Sequence, residues 1–247
     1  LRWYLLYASP VWTPTRFDVE GLKEVQSKFF GTLSNVYNFF VLYANTDNVD
    51  PRDFFVEYKN RPEIDRWILS KYNNLVKEID EELAIFDLNR SVRKIQYFIN
   101  EDLSNWYIRR NRRRFWASEL NEDKKAVYNT TYEVLEGISR LIAPFAPYIS
   151  EEIYQKLTDK LSVHIADYPV CDEDLIDDKV EERMDLVREL VGLGRAAREQ
   201  EQIKVRQPLQ KALVDGKYQD LISDLVPLIM EELNLKEVVF EKDLSNF

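Results

Sequence analysis

Apolar residues recur at intervals of three and four through most of this chain, and only six of its 247 residues are glycine. That spacing is the repeat of one face of an α-helix, and scarce glycine leaves few backbone interruptions. The fold is therefore expected to be mainly α, a helical bundle followed by a small α+β unit at the C-terminal end. With 45% hydrophobic residues the chain has ample material for a core.

The elements follow from the pattern. A short first helix reaches about Ala8, where Ser9-Pro10 and Thr13-Pro14 break it; it is apolar on nearly every side and is expected to pack on both faces. Asp18 caps a long helix running to about Ala44, with Leu22, Val25, Phe29, Leu33, Val36, Tyr37 and Phe40 inward. A polar loop covers 45–60. Pro62 opens a third helix with Ile64, Ile68, Leu69, Tyr72, Leu75, Val76, Ile79 and Leu83 on its inner face. The fourth spans Leu88 to Phe115. Asn121 caps a fifth that runs to Ala143, before Pro144 and Pro147, and Ser150 begins a short sixth. Eight acidic residues between Asp172 and Asp185 read as a linker. A helix over Val180 to Gln200 follows, then a strand at Lys211 to Val214, a helix from Tyr218 to Leu233 and a strand at Glu237 to Glu241.

The formal net charge of −10 argues against a surface that coats nucleic acid generally, so any such contact must be local. Cys171 is the only cysteine, which excludes an internal disulfide and points to a reducing compartment, the cytoplasm. No run has the length of a membrane-spanning helix, and the opening Leu1-Arg2-Trp3-Tyr4 reads as a fragment of a longer protein. His164 is the only histidine, so no histidine-based triad with a second histidine and no multi-histidine metal site can be built. No glycine-rich phosphate loop is present. These residues suit a binding or positioning module better than a self-contained enzyme.

The local contact has an obvious candidate. Residues 102–116 carry five arginines and four aromatics: Arg109, Arg110, Arg112, Arg113 and Arg114 with Trp106, Tyr107, Phe115 and Trp116. Arginine and aromatic planes together hold phosphates and stack on unpaired bases. At 100° per residue, Leu88, Val92, Ile95, Ile99, Leu103 and Trp106 form one inner stripe, which continues into Arg110, Arg113 and Arg114, while Arg109 and Arg112 point elsewhere. The competing reading is a solvated or ion-paired helix end. A second basic group, Arg195, Arg198, Lys204 and Arg206, flanks a helix end, where pairing with the preceding acidic stretch competes with RNA contact.

Several motifs in order resemble the C-terminal part of the isoleucyl-tRNA synthetases, class I aminoacyl-tRNA synthetases. They are Leu1-Arg2-Trp3-Tyr4-Leu5-Leu6 with Ser9-Pro10-Val11-Trp12 and Arg16-Phe17-Asp18, Thr32 to Phe40, Asp65-Arg66-Trp67-Ile68-Leu69-Ser70, and Asn105-Trp106-Tyr107 followed by Arg112-Arg113-Arg114-Phe115-Trp116. Ala143 to Glu152, Ser162-Val163-His164-Ile165 and Ile203 to Leu209 complete the series. The arginine-rich segment looks like a eukaryote-like branch shared by some bacterial enzymes.

The resemblance implies a connection from a catalytic domain over 1–17, an anticodon-binding helical bundle over 18–170, and a linker, helix and α+β unit over 171–247. It implies a monomer that holds tRNA(Ile) for ATP-dependent aminoacylation, with ATP and Mg handled by a catalytic domain outside this chain, no cofactor or metal here, and no membrane contact. Editing and ATP-handling signatures are absent. The candidate tRNA contacts, taken from the two basic groups, are Trp106, Arg109, Arg110, Arg112, Arg113, Arg114, Arg198, Lys204 and Arg206. The corresponding region of valyl-tRNA synthetase and an acidic helical protein-interaction domain are the alternatives.

Overall fold

The computed structural model describes residues 1–242, and these form two compact units, Leu1–Asp177 and Asp178 onward. The first is a helical bundle: α1 (Arg2–Ala8), α2 (Val19–Val25), α3 (Thr32–Asp47), α4 (Glu63–Ala84), α5 (Leu88–Tyr97), α6 (Arg109–Trp116), α7 (Glu122–Leu141) and α8 (Pro147–Thr158). No helix among the described residues is long and apolar enough to cross a membrane.

Local caps start these helices where the sequence places them. Asp18 accepts from the amides of Glu20 and Gly21, Asp87 from Arg90, and Asn121 from Lys124, each satisfying a donor that the first helical turn leaves open. The helix expected from Ser150 begins earlier. Pro147 occupies its first turn, where a missing N–H costs nothing.

Helix α1 packs on one side rather than two. Trp3 is buried, stacked on Phe29 at 3.6 Å between ring centroids, and donates its indole N–H to Gln96 at 3.1 Å. Asn89 binds the carbonyls of Leu6 and Tyr7, fixing the C-terminal end of α1 on α5. Leu1 and Leu5 stay exposed.

The loop over 48–60 is irregular but pinned from α7. The Asn129 side chain accepts from the Val56 amide at 2.9 Å and donates to the carbonyls of Pro51 and Phe54. The buried Arg61 guanidinium binds the Val56 carbonyl, Thr130 and Glu133. Buried polar groups paired in this way hold an irregular segment as firmly as an apolar contact would.

Two stretches of wide helical turn interrupt the regular helices. Gln26–Gly31 joins α2 to α3, and Phe98–Ile108 joins α5 to α6, so Leu88 to Trp116 is one continuous helical path. An i→i+5 turn takes one residue more than an i→i+4 turn and rotates everything after it. Beyond Trp106 the buried line therefore runs Tyr107, Asn111, Phe115; of the three arginines expected on it only Arg114 turns inward, onto Asp65. Arg113, expected on the inner stripe, is exposed, and Arg110 is half-buried.

The second unit begins with α9 (Asp178–Gln200), so the acidic stretch supplies the first turn of a helix and not only a linker. Val180, Met184, Val187 and Val191 form its buried side. Strands β1 (Leu209–Asp215) and β2 (Leu235–Glu241) pair in parallel, Leu209 opposite Leu235 and Val214 opposite Phe240. A parallel pair needs a crossover, and α10 (Gln219–Ile222) with α11 (Val226–Leu233) provides it.

Candidate nucleic-acid interface

The rotation imposed by Phe98–Ile108 sorts the arginines. On the outward side, Asn105, Arg109, Arg112, Arg113 and Trp116 follow one another at helical spacing. Arg112 and Arg113 are exposed, and Arg112 has no ion-pair partner among the described residues. Arg109 is half-buried: its Nε donates to the Asn105 carbonyl at 2.8 Å, and its guanidinium carbon lies 6.0 Å from the Trp106 ring centroid. Trp106 itself is only 5% exposed, while Trp116 is 57% exposed with its indole N–H donated to the Tyr43 hydroxyl at 2.7 Å.

Arg114 turns the other way. Its two terminal nitrogens bind the two oxygens of Asp65 at 2.7 and 2.8 Å, its Nε binds Asp123 at 3.0 Å, and Asn111 accepts a further bond at 3.1 Å. The Asp65 side chain is fully buried, and the Tyr107 hydroxyl donates to it at 2.7 Å. Burial alone would lower the Arg114 pKa, but the hydrogen bonds and charge of Asp65 outweigh it and raise it above its ordinary range. Burial, with the charge of Asp65, pushes the Tyr107 phenol well above its usual value. This cluster joins α4 to the start of α7 through α6, and its guanidinium has no donor left for an external phosphate.

The second basic group also divides. Arg198 is buried, and its guanidinium donates to the carbonyls of Lys204, Gln207, Leu233 and Asn234, closing the turn that leads into β1. Arg195 pairs with Glu232 of α11, not with the acidic stretch. Lys204 and Arg206 are exposed in the turn between α9 and β1. His164 is exposed beside the Ser162 hydroxyl, which binds its backbone amide.

Clefts elsewhere in the bundle suit a polyanion less well. A cleft of about 570 Å³ between α1, α2 and α5 mixes Asp18, Glu24 and Glu101 with Lys28 and Arg93, and Lys28 is already bound to Glu24 at 2.6 Å. Among the described residues no group of three or more His, Cys, Asp or Glu side chains is arranged to hold a metal ion.

Residues 65–213 match the anticodon-binding domain of tRNA ligase. The chain belongs to this family. Over nearly its whole length it is also similar to isoleucine–tRNA ligases: 41% identical to that of Porphyromonas gingivalis, covering 98% of this chain and 22% of the relative, and 43% identical to that of Clostridium novyi, covering 100% and 24%. The chain thus spans about a quarter or less of the length of these relatives. The LeuRS of Agrobacterium radiobacter K84, solved in a ternary complex with tRNA and LeuAMS, shares the fold over 71% of this chain and 20% of its own, with a TM-score of 0.52 at 20% identity. The family match includes Asp65, the arginine-rich helix α6 and Lys204 and Arg206.

Proposed function

We propose that this chain binds the anticodon limb of tRNA(Ile) and positions it for ATP-dependent aminoacylation by a catalytic domain lying outside the chain, as a monomer in the cytoplasm. The observation that carries the reading is the outward line of Arg109, Arg112 and Arg113 on a chain of net charge −10. Cations confined to one helix face confine a polyanion to that face. Lys204 and Arg206 are a second, smaller candidate contact. Arg110 lies half-buried beside the line, and Trp106 contributes chiefly as the surface on which Arg109 rests. Arg114 and Arg198 act as internal braces.

The test is a titration of the chain with isoleucine and valine tRNA transcripts at several salt concentrations. The isoleucine transcript is expected to bind more tightly. Arg112→Ala and Arg113→Ala should each weaken binding of either transcript and lower the slope of log K against log salt by about one per lost phosphate contact. Unchanged slopes would remove these side chains from the interface, and absence of binding would favour a protein-interaction domain.

A further inference from the structure

We propose that Trp116 is a stacking platform for an unpaired RNA base, with Arg112 and Arg113 holding the phosphates that flank it; this rests on the RNA-binding reading above. Of the five tryptophans, Trp3, Trp67 and Trp106 are buried, and only Trp12 and Trp116 are exposed. Trp12 lies in the irregular segment after α1, outside any helix or strand. Trp116 is the last residue of the arginine-rich helix and presents more than half of its side chain to solvent.

Its ring is not loose. The adjacent Phe115 is packed edge-on against Phe39 and Tyr128, anchoring the helix end, and the indole N–H is tied to Tyr43. A fixed aromatic plane loses little freedom when a partner lands on it. The N–H is the only hydrogen-bonding group of an indole, and it is already used. What remains is a π face, which suits any nucleobase and reads none. Arg112 stands four residues before Trp116 and Arg113 three before it, so all three residues share one exposed helix face, within reach of the phosphates of a nucleotide stacked on Trp116. The acidic remainder of the chain disfavours a longer backbone track, which limits the platform to a short unpaired segment.

The experiment uses a synthetic RNA hairpin with an unpaired loop, hairpins with altered loop sequences, and a loopless duplex. Trp116→Ala should weaken binding of every hairpin by about tenfold or more and leave the duplex unaffected. The salt slope should not change, since no phosphate contact is lost, in contrast to Arg112→Ala. Trp116→Phe should retain part of the affinity, and Tyr43→Phe, which frees the indole, should cause a smaller loss. Circular dichroism should show unchanged helix content. In a Trp12→Phe background the exposed indole fluorescence belongs to Trp116, and hairpin binding should quench it. Unchanged hairpin affinity in Trp116→Ala, a loss confined to one loop sequence, or an unquenched Trp116 would each overturn the platform while leaving the RNA-binding reading intact. Failure of the unsubstituted chain to bind any hairpin would overturn both.

Discussion

Arg114 grips Asp65 with both terminal guanidinium nitrogens, and Asp65 lies fully buried forty-nine residues earlier in the chain. A planar fork on a carboxylate fixes direction as well as distance. The pair therefore sets the rotation of α6 on α4, and with it the side on which Arg112 and Arg113 emerge. Removing Asp65 takes away the buried half of the pair and leaves Arg114 with only the half-exposed Asp123 as counter-charge. Asp65→Ala is expected to destabilise the chain by about 3–5 kcal/mol, read from urea unfolding. Tyr107→Phe removes one hydrogen bond to the same carboxylate and should cost about 1 kcal/mol. A loss under 1 kcal/mol in Asp65→Ala would show that the pair is not a structural brace.

Gly137 of α7 faces the ring of Tyr72 of α4. A methyl group at Gly137 would sit 2.1 Å from the Tyr72 hydroxyl oxygen and 2.4 Å from the ring carbon that bears it, so the buried ring would have to move. Alanine is the better helix former by up to about 1 kcal/mol, but overpacking of a filled core costs about 1–3 kcal/mol, so the clash should win. Gly137→Ala is expected to lower stability. The Tyr72 hydroxyl is buried without a hydrogen-bond partner among the described residues, and burial pushes its pKa up. Tyr72→Phe alone should therefore be neutral or stabilising, and it should recover part of the Gly137→Ala loss. Strict additivity in that double-mutant cycle would contradict the contact.

Much of the fold is legible in the sequence because its determinants are local. Asp18 and Asn121 cap helices by bonding amides within three residues of themselves, and the inner residues of α4 follow a period that needs no tertiary knowledge. The candidate site is less legible. A widened turn over Phe98–Ile108 shifts the buried line, which places Arg113 outside while Arg114 stays inward as its helical phase predicts, and nothing in the spacing of apolar residues signals the shift. Its rationale is Asp65, which meets Tyr107 and Arg114 only in the folded bundle. The burial of Arg198 is hidden for a similar reason. Its partners are backbone carbonyls, and every residue has one.

Arg198 binds four carbonyls across the turn from α9 to β1 and the junction of α11 with β2. Lysine brings one ammonium in place of a planar fork and cannot span them. Both Arg198→Ala and Arg198→Lys should weaken the second unit by about 1–3 kcal/mol, the cost of leaving buried acceptors unmatched. Hydrogen exchange of the β1 and β2 amides should report the loss, while exchange in α4 and α7 stays unchanged. Full protection of both strands in Arg198→Lys would contradict the role.

The second unit also carries an acid-sensitive contact. Asp224, between α10 and α11, accepts from Arg183 of α9 at 2.6 Å, and that bond holds the carboxyl below the ordinary carboxylate range. A pKa lowered by folding means that the unfolded chain takes up the proton first. The contribution is therefore complete at pH values above the ordinary carboxylate range and fades as pH falls through the depressed folded value. Asp224 is more than half exposed, so solvent screening limits the contribution to no more than about 1 kcal/mol. Asp224→Asn should lower stability slightly at neutral pH and make little difference at a pH where the native carboxyl is protonated. Stability curves of the two chains measured against pH should converge on the acid side, and curves that stay parallel down to that limit would assign the loss to packing instead of charge.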